Sequence, residues 1–205
     1  MKQFSLVVAV VLVATTPAMP QNVDIVPRME VLPEVVVLPI ETETKHFGRR
    51  SNRGPMVIKV EGDSAAGKEV ALSFRTKKRA WIKRVSFAIE ENDSMLISMP
   101  FRLNLYKKQG NEYANNFVSS TEFLYTKEAI VDERFTFTFP TPWAIDKGEY
   151  VVAIEFLENF PGQNFIMPTN VMTGHTYLRS TSQSQWQKIP LGSTLAIEVV
   201  VEKWN

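Results

Sequence analysis

The sequence Phe135-Thr136-Phe137-Thr138-Phe139 alternates an aromatic residue with a polar one. In an extended strand every second side chain points to the same face, so this stretch supplies one apolar face to a core and one wetter face. Helical spacing would not collect these phenylalanines on one side. The stretch therefore predicts a β-strand that is buried on one face.

The same period of two recurs along most of the chain. The alternating residues are Val70, Leu72 and Phe74; Trp81, Val85, Phe87 and Ile89; Phe101, Leu103 and Leu105; Tyr150, Val152, Ile154 and Phe156; and Leu195, Ile197, Val199 and Val201. Turn-forming residues separate these runs, as at Gln109 to Asn111 and Asp146 to Gly148. Strands at this spacing predict an all-β antiparallel β-sandwich of jelly-roll type with minimal helix.

The first residues have the pattern of a secretory signal peptide. Lys2 is followed by an apolar run from Leu6 to Ala14 and then by small or turn-prone residues. We expect a signal over residues 1–18 that is cleaved after Ala18, with Pro20 or Gln21 as alternative sites, and export to the periplasm or cell surface. The run is much shorter than the roughly 20 apolar residues of a membrane-spanning helix, so no transmembrane segment is expected after cleavage.

The rest of the chain divides near Met56. Residues 19–55 mix valine with proline and then become polar and basic, which predicts a flexible leader. Within this leader, Glu34, Val35, Val36 and Val37 form a strand-like box that could bind an envelope protein by strand addition. A linker with strand propensity is the alternative. Regular alternation begins at Met56, so the sandwich domain is predicted over residues 56–205.

Composition excludes several classes of function. The chain has a formal net charge of +1 and 22% charged residues, which does not favour nucleic acid or a strongly acidic partner. It has no cysteine, so neither disulfides nor thiolate metal sites can stabilise it. The fold must rely on packing alone.

One segment matches the spacing of a phosphate-binding P-loop. Residues 62–68 read Gly-Asp-Ser-Ala-Ala-Gly-Lys, but Glu69 follows where a hydroxyl should hold magnesium. The residues after it alternate with strand period, whereas a P-loop opens a helix. We therefore interpret the segment as a connection between strands.

Catalytic and metal-binding groups are scarce. The two histidines, His46 and His175, share no metal-ligand spacing, and no nucleophile-elbow pattern surrounds a serine. A hydrolase that uses His175 stays open as an alternative. Acidic residues such as Glu155 are interpreted as solvated strand positions. No catalytic residue, metal ligand or cofactor is predicted.

Aromatic residues supply another alternative. Trp81, Trp143 and Trp186 could form a stacking platform for glycans, as in carbohydrate-binding modules, although tryptophans more often pack in cores. The basic residues between Arg75 and Arg84 are read as a solubilising hairpin tip.

Several segments together resemble a known family. They are Phe101 to Tyr106, Pro142-Trp143, Gly148 to Phe156, Tyr177 to Ser180 and Gln185 to Pro190. They resemble the C-terminal β-sandwich of Gram-negative envelope proteins labelled carboxypeptidase-like regulatory-domain proteins, over about Met56 to Asn205. In that family a small regulatory domain often precedes a Glu-Val-Val-Val box of the type seen at the start of TonB-dependent transporters. Leu32 to Val37 resembles the box, and because too few residues lie between the predicted signal and the box, we expect no regulatory domain between them. The resemblance implies no peptidase residues.

These observations lead to three hypotheses of different classes. The first is an exported, noncatalytic β-sandwich interaction module of the bacterial envelope. The second is a carbohydrate-binding module. The third is the hydrolase that uses His175.

Overall fold

The computed structural model describes residues 41–48, 51, 53–90 and 98–202. This part of the chain consists of β-strands and two 3₁₀ helices of three residues each, Gly62–Ser64 and Lys127–Ala129. The strands are β1 (Thr42–Gly48), β2 (Met56–Glu61), β3 (Glu69–Thr76), β4 (Ala80–Ala88), β5 (Ser98–Gln109), β6 (Glu112–Tyr113), β7 (Ser119–Thr126), β8 (Ile130–Val131), β9 (Arg134–Ile145), β10 (Gly148–Phe156), β11 (Asn164–Arg179), β12 (Gln187–Ser193) and β13 (Ala196–Glu202).

The strands form two antiparallel sheets. The first sheet has the order β1-β13-β4-β9-β8, and the second has the order β12-β11-β3-β10-β5. In the second sheet β2 also pairs with β11, and β6 and β7 pair with β5. One apolar core contains residues of both sheets. The predicted all-β sandwich is therefore confirmed, whereas the narrower jelly-roll type is not.

Aromatic rings join the two sheets. Phe101 of β5 is fully buried, and its ring centroid lies 5.0 Å from Phe156 and 5.7 Å from Phe165 in the same sheet. It also lies 6.3 Å from Phe87 of the first sheet, which in turn contacts Phe135 at 5.3 Å. Edge-to-face and tilted contacts of this kind add to the free energy gained by burying each ring.

Strand β10 is buried on both faces. Val152, Ile154 and Phe156 point into the core between the sheets. On the opposite face, Val151 and Ala153 lie beneath aromatic side chains of a second, smaller cluster. The outer face of the second sheet is therefore covered rather than freely solvated.

Strand β4 carries a β-bulge that changes which residues face the core. Its pairing with β9 and with β13 skips Lys83. Because the extra residue shifts the alternation by one, Ile82 and Val85 are both fully buried, while Trp81 points to the other side and is half-buried. The prediction that Trp81 shares a face with Val85 is therefore wrong.

The sandwich begins before Met56. Strand β1 lies within the segment interpreted as a flexible leader, yet it pairs along its length with β13. It is an edge strand with mostly exposed side chains, so its sequence carries no alternation. Phe47 is the exception, with its ring 5.2 Å from Phe74.

The segment with P-loop spacing connects two strands. Residues 62–64 form a 3₁₀ helix and the next strand begins at Glu69. Gly67 has a φ of 78°, a conformation that favours glycine, and the Lys68 ammonium donates to the Ser64 hydroxyl at 2.8 Å. No helix follows whose N-terminus could receive a phosphate. The strand-to-strand interpretation agrees with this arrangement.

Replacing Phe101 with alanine should destabilise the fold by about 3–5 kcal/mol, because it removes a fully buried ring and leaves a cavity between the sheets. Chemical denaturation with urea measures the difference. Phe117→Ala is the matched control, since this ring is 52% exposed and should cost about 0.5 kcal/mol or less. Equal effects of the two substitutions would contradict the placement of Phe101.

Candidate functional site

A row of charged side chains crosses the outer face of the second sheet. Strand register places Arg179 of β11 beside Glu69 of β3, Glu69 beside Glu155 of β10, Glu155 beside Arg102 of β5, and Arg102 beside Glu122 of β7. These five residues are called the charge row below. Because residues in register across neighbouring strands lie within contact distance, the row forms a continuous polar line across five strands.

One end of the row is a fully buried ion pair. The Arg179 Nη2 atom donates to Glu69 Oε1 at 2.6 Å, and both side chains have no exposed surface. The Tyr106 hydroxyl accepts from Arg179 Nη2 at 2.5 Å and donates to the same Glu69 oxygen at 3.1 Å. The three groups therefore form a closed triangle that links β11, β3 and β5.

Two aromatic rings enclose the Arg179 guanidinium. Its central carbon lies 4.4 Å from the ring centroid of Trp186 and 4.7 Å from that of Tyr106. The two rings contact each other edge-to-face at 5.5 Å. A desolvated cation between aromatic faces is stabilised by about 2 kcal/mol or more. Trp186 thus shields the ion pair from solvent.

Burial governs the ionisation of Glu69. It raises the pKa of the Glu69 carboxyl to about 7, although the Arg179 guanidinium opposes this by favouring the charged form. Glu155 on the neighbouring strand adds to the increase, because two like charges disfavour each other's ionisation. Burial, with the nearby Glu69 carboxylate, also raises the pKa of the Tyr106 hydroxyl. Tyr106 therefore stays a proton donor at all physiological pH values.

The centre of the row is a carboxylate held by three donors. Asn104 Nδ2 donates to Glu155 Oε2 at 2.7 Å, and Arg102 Nη1 approaches the same oxygen at 3.4 Å. The Ser182 hydroxyl donates to Glu155 Oε1 at 2.8 Å. Glu155 is 5% exposed, which corrects its interpretation as a solvated strand residue. The apolar outward positions Val151 and Ala153 on the same strand were the sequence signal for a covered face.

A cleft of about 320 Å³ opens above the centre of the row. Its floor includes Arg102, Tyr106 and Glu155, and its walls come from two loops. One wall is the β6–β7 connection, with Asn115, Asn116 and Phe117. The other is the β11–β12 connection, with Ser182 and Gln183. The cleft therefore combines charged, amide and aromatic side chains above a buried polar floor.

Hydrogen bonds tie the first wall to β5 and hold the second wall within its own loop. The Val118 amide donates to the Leu105 carbonyl at 2.6 Å, and the Ala114 amide donates to the Lys107 carbonyl at 3.0 Å. In the other loop, the Ser184 hydroxyl accepts from the amides of Ser180 and Thr181, each at 3.1 Å. These bonds restrain the loops on both sides of the cleft.

A second groove of about 540 Å³ runs along the junction of β2, β3 and β11. Its polar lining includes Lys59, Lys68, Gln185 and Gln187, and Glu69 and Arg179 also border it. It lies beside the buried ion pair, whereas the first cleft lies over Glu155. We take the first cleft as the candidate site because a fixed carboxylate and an exposed ring meet there.

The three tryptophans proposed as a glycan platform lie on different surfaces. Trp81 faces outward from the first sheet, with Arg79 at 5.5 Å from its ring. Trp143 packs at the core on Phe139 at 4.3 Å. Trp186 covers the ion pair on the second sheet. The structure does not bring the three rings together.

The residue named for the hydrolase alternative lies next to a serine. His175 Nδ1 is 3.3 Å from the Ser73 hydroxyl, and His175 is exposed. In the described part of the chain no carboxylate hydrogen-bonds the other ring nitrogen. A triad needs an acid on the far side of the imidazole to orient it. The pair therefore lacks one of the three required groups.

Two other predictions from the sequence concern residues outside the described part of the chain. The box Glu34-Val35-Val36-Val37 and the predicted signal over residues 1–18 lie outside the described residues. Within residues 41–202, apart from the gaps given above, no cluster of three or more potential metal ligands occurs. The same part of the chain contains no helix long and apolar enough to cross a bilayer.

Comparison of the chain with protein-family models, with curated proteins and with solved structures finds no match. The geometry of the cleft and the residues that form it are therefore the basis of the proposed function.

Replacing Glu69 with glutamine should remove a pH-dependent part of the stability. The folded-state pKa of about 7 lies above the ordinary value of 4.5, so the folded state binds more protons between these values. Stability from this group is full below about pH 4.5 and falls as the pH rises to 7, by on the order of 3 kcal/mol. Urea denaturation at several pH values measures the loss.

The quantity to compare is the slope of the unfolding free energy against pH in the wild type and in Glu69→Gln. Glu69→Gln keeps a neutral group opposite Arg179 at every pH, so its stability should not change with pH through this position. The double variant Glu69→Leu with Arg179→Met removes both charges and serves as the control that should also lack the slope. An unchanged slope in both variants would show that Glu69 does not titrate in this range.

Proposed function

We propose that this protein is an exported, noncatalytic recognition module of the bacterial envelope that binds its partner through the cleft above Glu155. The observation that carries the proposal is the cleft itself, in which exposed polar and aromatic side chains stand over a floor. The partly buried Arg102–Glu155 ion pair holds this floor, together with Tyr106, which the buried Arg179–Glu69 pair fixes. Concave sites with a few well-placed polar groups are the usual form of a binding site.

The fixed floor supports binding because it reduces the ordering that a ligand must impose. Glu155 accepts three hydrogen bonds, and Tyr106 is held by Arg179 and Glu69. Side chains that are already restrained lose little conformational entropy when a ligand arrives. Supporting hydrogen bonds of this kind are what a precise binding site requires.

The state of the polar groups favours binding over catalysis. A general acid or base must be able to exchange its proton with a bound substrate. Both oxygens of Glu155 already accept hydrogen bonds from protein donors, and the Glu69 carboxyl is enclosed behind Tyr106 and Arg179. His175 and Ser73 do not line the cleft.

Export and an envelope location are part of the same proposal. They rest on Lys2, the apolar run Leu6 to Ala14 and the small residues up to Ala18. The resemblance to the sandwich of Gram-negative envelope proteins points to the same compartment. A fold without cysteines, stabilised by packing alone, is compatible with it.

The binding role predicts that cleft variants lose partner capture. Asn116→Ala with Gln183→Ala should reduce the amount of envelope material retained by the immobilised protein at least severalfold, because both amides line the cleft. Gln109→Ala with Asn111→Ala is the matched control, since these exposed amides lie in the β5–β6 hairpin away from the cleft lining. Retained material is analysed for both protein and sugar. Equal retention by both variants would refute the proposed site.

Export predicts a processed N-terminus. Expression in a Gram-negative host should yield a mature chain that begins just after Ala18, or near Pro20 or Gln21, in the periplasmic or surface fraction. Mass spectrometry of the intact protein measures the start. Substituting Leu6 to Ala14 with polar residues should keep the unprocessed chain in the cytoplasm. A full-length chain recovered from the cytoplasm without that substitution would contradict export.

A further inference from the structure

We propose that the ligand of this cleft is a neutral glycan, bound by the amides of Asn115, Asn116 and Gln183 and stacked on Phe117. This inference rests on the proposed recognition function and assigns a ligand class to the same site. It differs from the tryptophan platform that the sequence offered as an alternative, because it uses a different aromatic residue on a different surface.

The walls of the cleft carry three side-chain amides. Asn115, Asn116 and Gln183 are exposed and line the cleft. Among the residues that the structure describes, none of the three makes a side-chain hydrogen bond. An amide offers both a donor and an acceptor, and each sugar hydroxyl likewise donates and accepts. Three such groups around one cleft suit a ligand rich in hydroxyls.

Phe117 supplies an apolar surface beside these amides. Its side chain is 52% exposed, and its ring meets the buried Tyr106 ring edge-to-face at 6.5 Å. The contact with Tyr106 orients the ring while half of it stays open. Aromatic rings pack well against the apolar C–H face of a sugar, whose edge carries the hydroxyls. The ring and the amides together match the two sides of a pyranose.

The charges around the cleft favour a neutral ligand over an anionic one. Arg102 is the cation on the floor, and it pairs with Glu122 at 2.6 Å and with Glu155 at 3.4 Å. Two carboxylates thus offset its charge. A polyanion such as nucleic acid binds mainly by exchanging counterions for free lysine and arginine charges, and this cleft presents no free one among its described lining residues.

An apolar ligand is also disfavoured. Covering the amides with a surface that cannot hydrogen-bond would cost about 1–3 kcal/mol for each unsatisfied group. The volume of about 320 Å³ lies at the small end of ligand pockets, which range from about 300 to 1,000 Å³. A short segment of an oligosaccharide fits both the chemistry and the size.

The test uses the full mature chain on an array of neutral hexose and N-acetylhexosamine oligosaccharides that also displays sulfated and uronic acid glycans. Titration calorimetry with the strongest neutral oligosaccharide then compares variants. Phe117→Ala should weaken binding about tenfold, whereas Phe117→Trp, which keeps a stacking surface, should stay within about threefold. Asn116→Ala with Gln183→Ala should abolish detectable binding.

Trp81→Ala is the matched aromatic control, because this ring lies on the outer face of the first sheet. It should leave glycan affinity unchanged. Binding that is lost in Trp81→Ala but kept in Phe117→Ala would overturn the assignment to this cleft, as would a preference for sulfated glycans or the absence of any neutral glycan on the array.

The two proposals can fail separately. If no neutral glycan binds but Asn116→Ala with Gln183→Ala still loses capture of envelope material, the glycan assignment is refuted and the recognition role stands. If that variant also retains full capture, both are refuted. Far-UV circular dichroism confirms that the exposed substitutions leave the strands intact.

Discussion

The Arg179–Glu69 ion pair is the interaction on which the outer half of this molecule depends. Both side chains are fully buried, so each group has the other as its main polar partner inside the protein. Replacing both by apolar residues is often neutral or stabilising, so stability alone does not account for the pair. The position of the pair accounts for it, because the pair joins β11 to β3 and, through Tyr106, to β5. The floor of the cleft is built on this junction.

The arrangement explains why the second sheet is covered on its outer face. Small residues, Ala71 and Ala153, occupy the middle of that face, and large aromatic side chains lie across them. Trp186 and Tyr106 enclose the guanidinium, and the loops that follow β6 and β11 rise at the sides. The second sheet therefore has one apolar face in the core and an outer polar surface whose side chains are held in place. The ligand proposed above would meet side chains that are already restrained.

The sequence predicted the positions of the strands far better than which side of each strand is buried. Alternation located β3, β5, β10 and β13, since the side-chain period of a strand is a local property. It failed at β4, where one inserted residue reverses the facing of Trp81. It also missed β1, because an edge strand whose side chains are mostly exposed, apart from Phe47, has no apolar period to detect. The candidate site was missed for a related reason. Strand register brings Arg102 beside Glu155, and the β6–β7 connection places Phe117 over them.

By itself, therefore, the sequence determined an all-β architecture that packs without cysteine, and it predicts export through a local signal. These features depend on short-range patterns, which a single chain displays directly. Tertiary structure decided which carboxylates are buried, which tryptophans are separated and where a cleft opens. Those outcomes depend on register between strands and on loops packed over a sheet, and both are long-range contacts that leave no local period in the sequence.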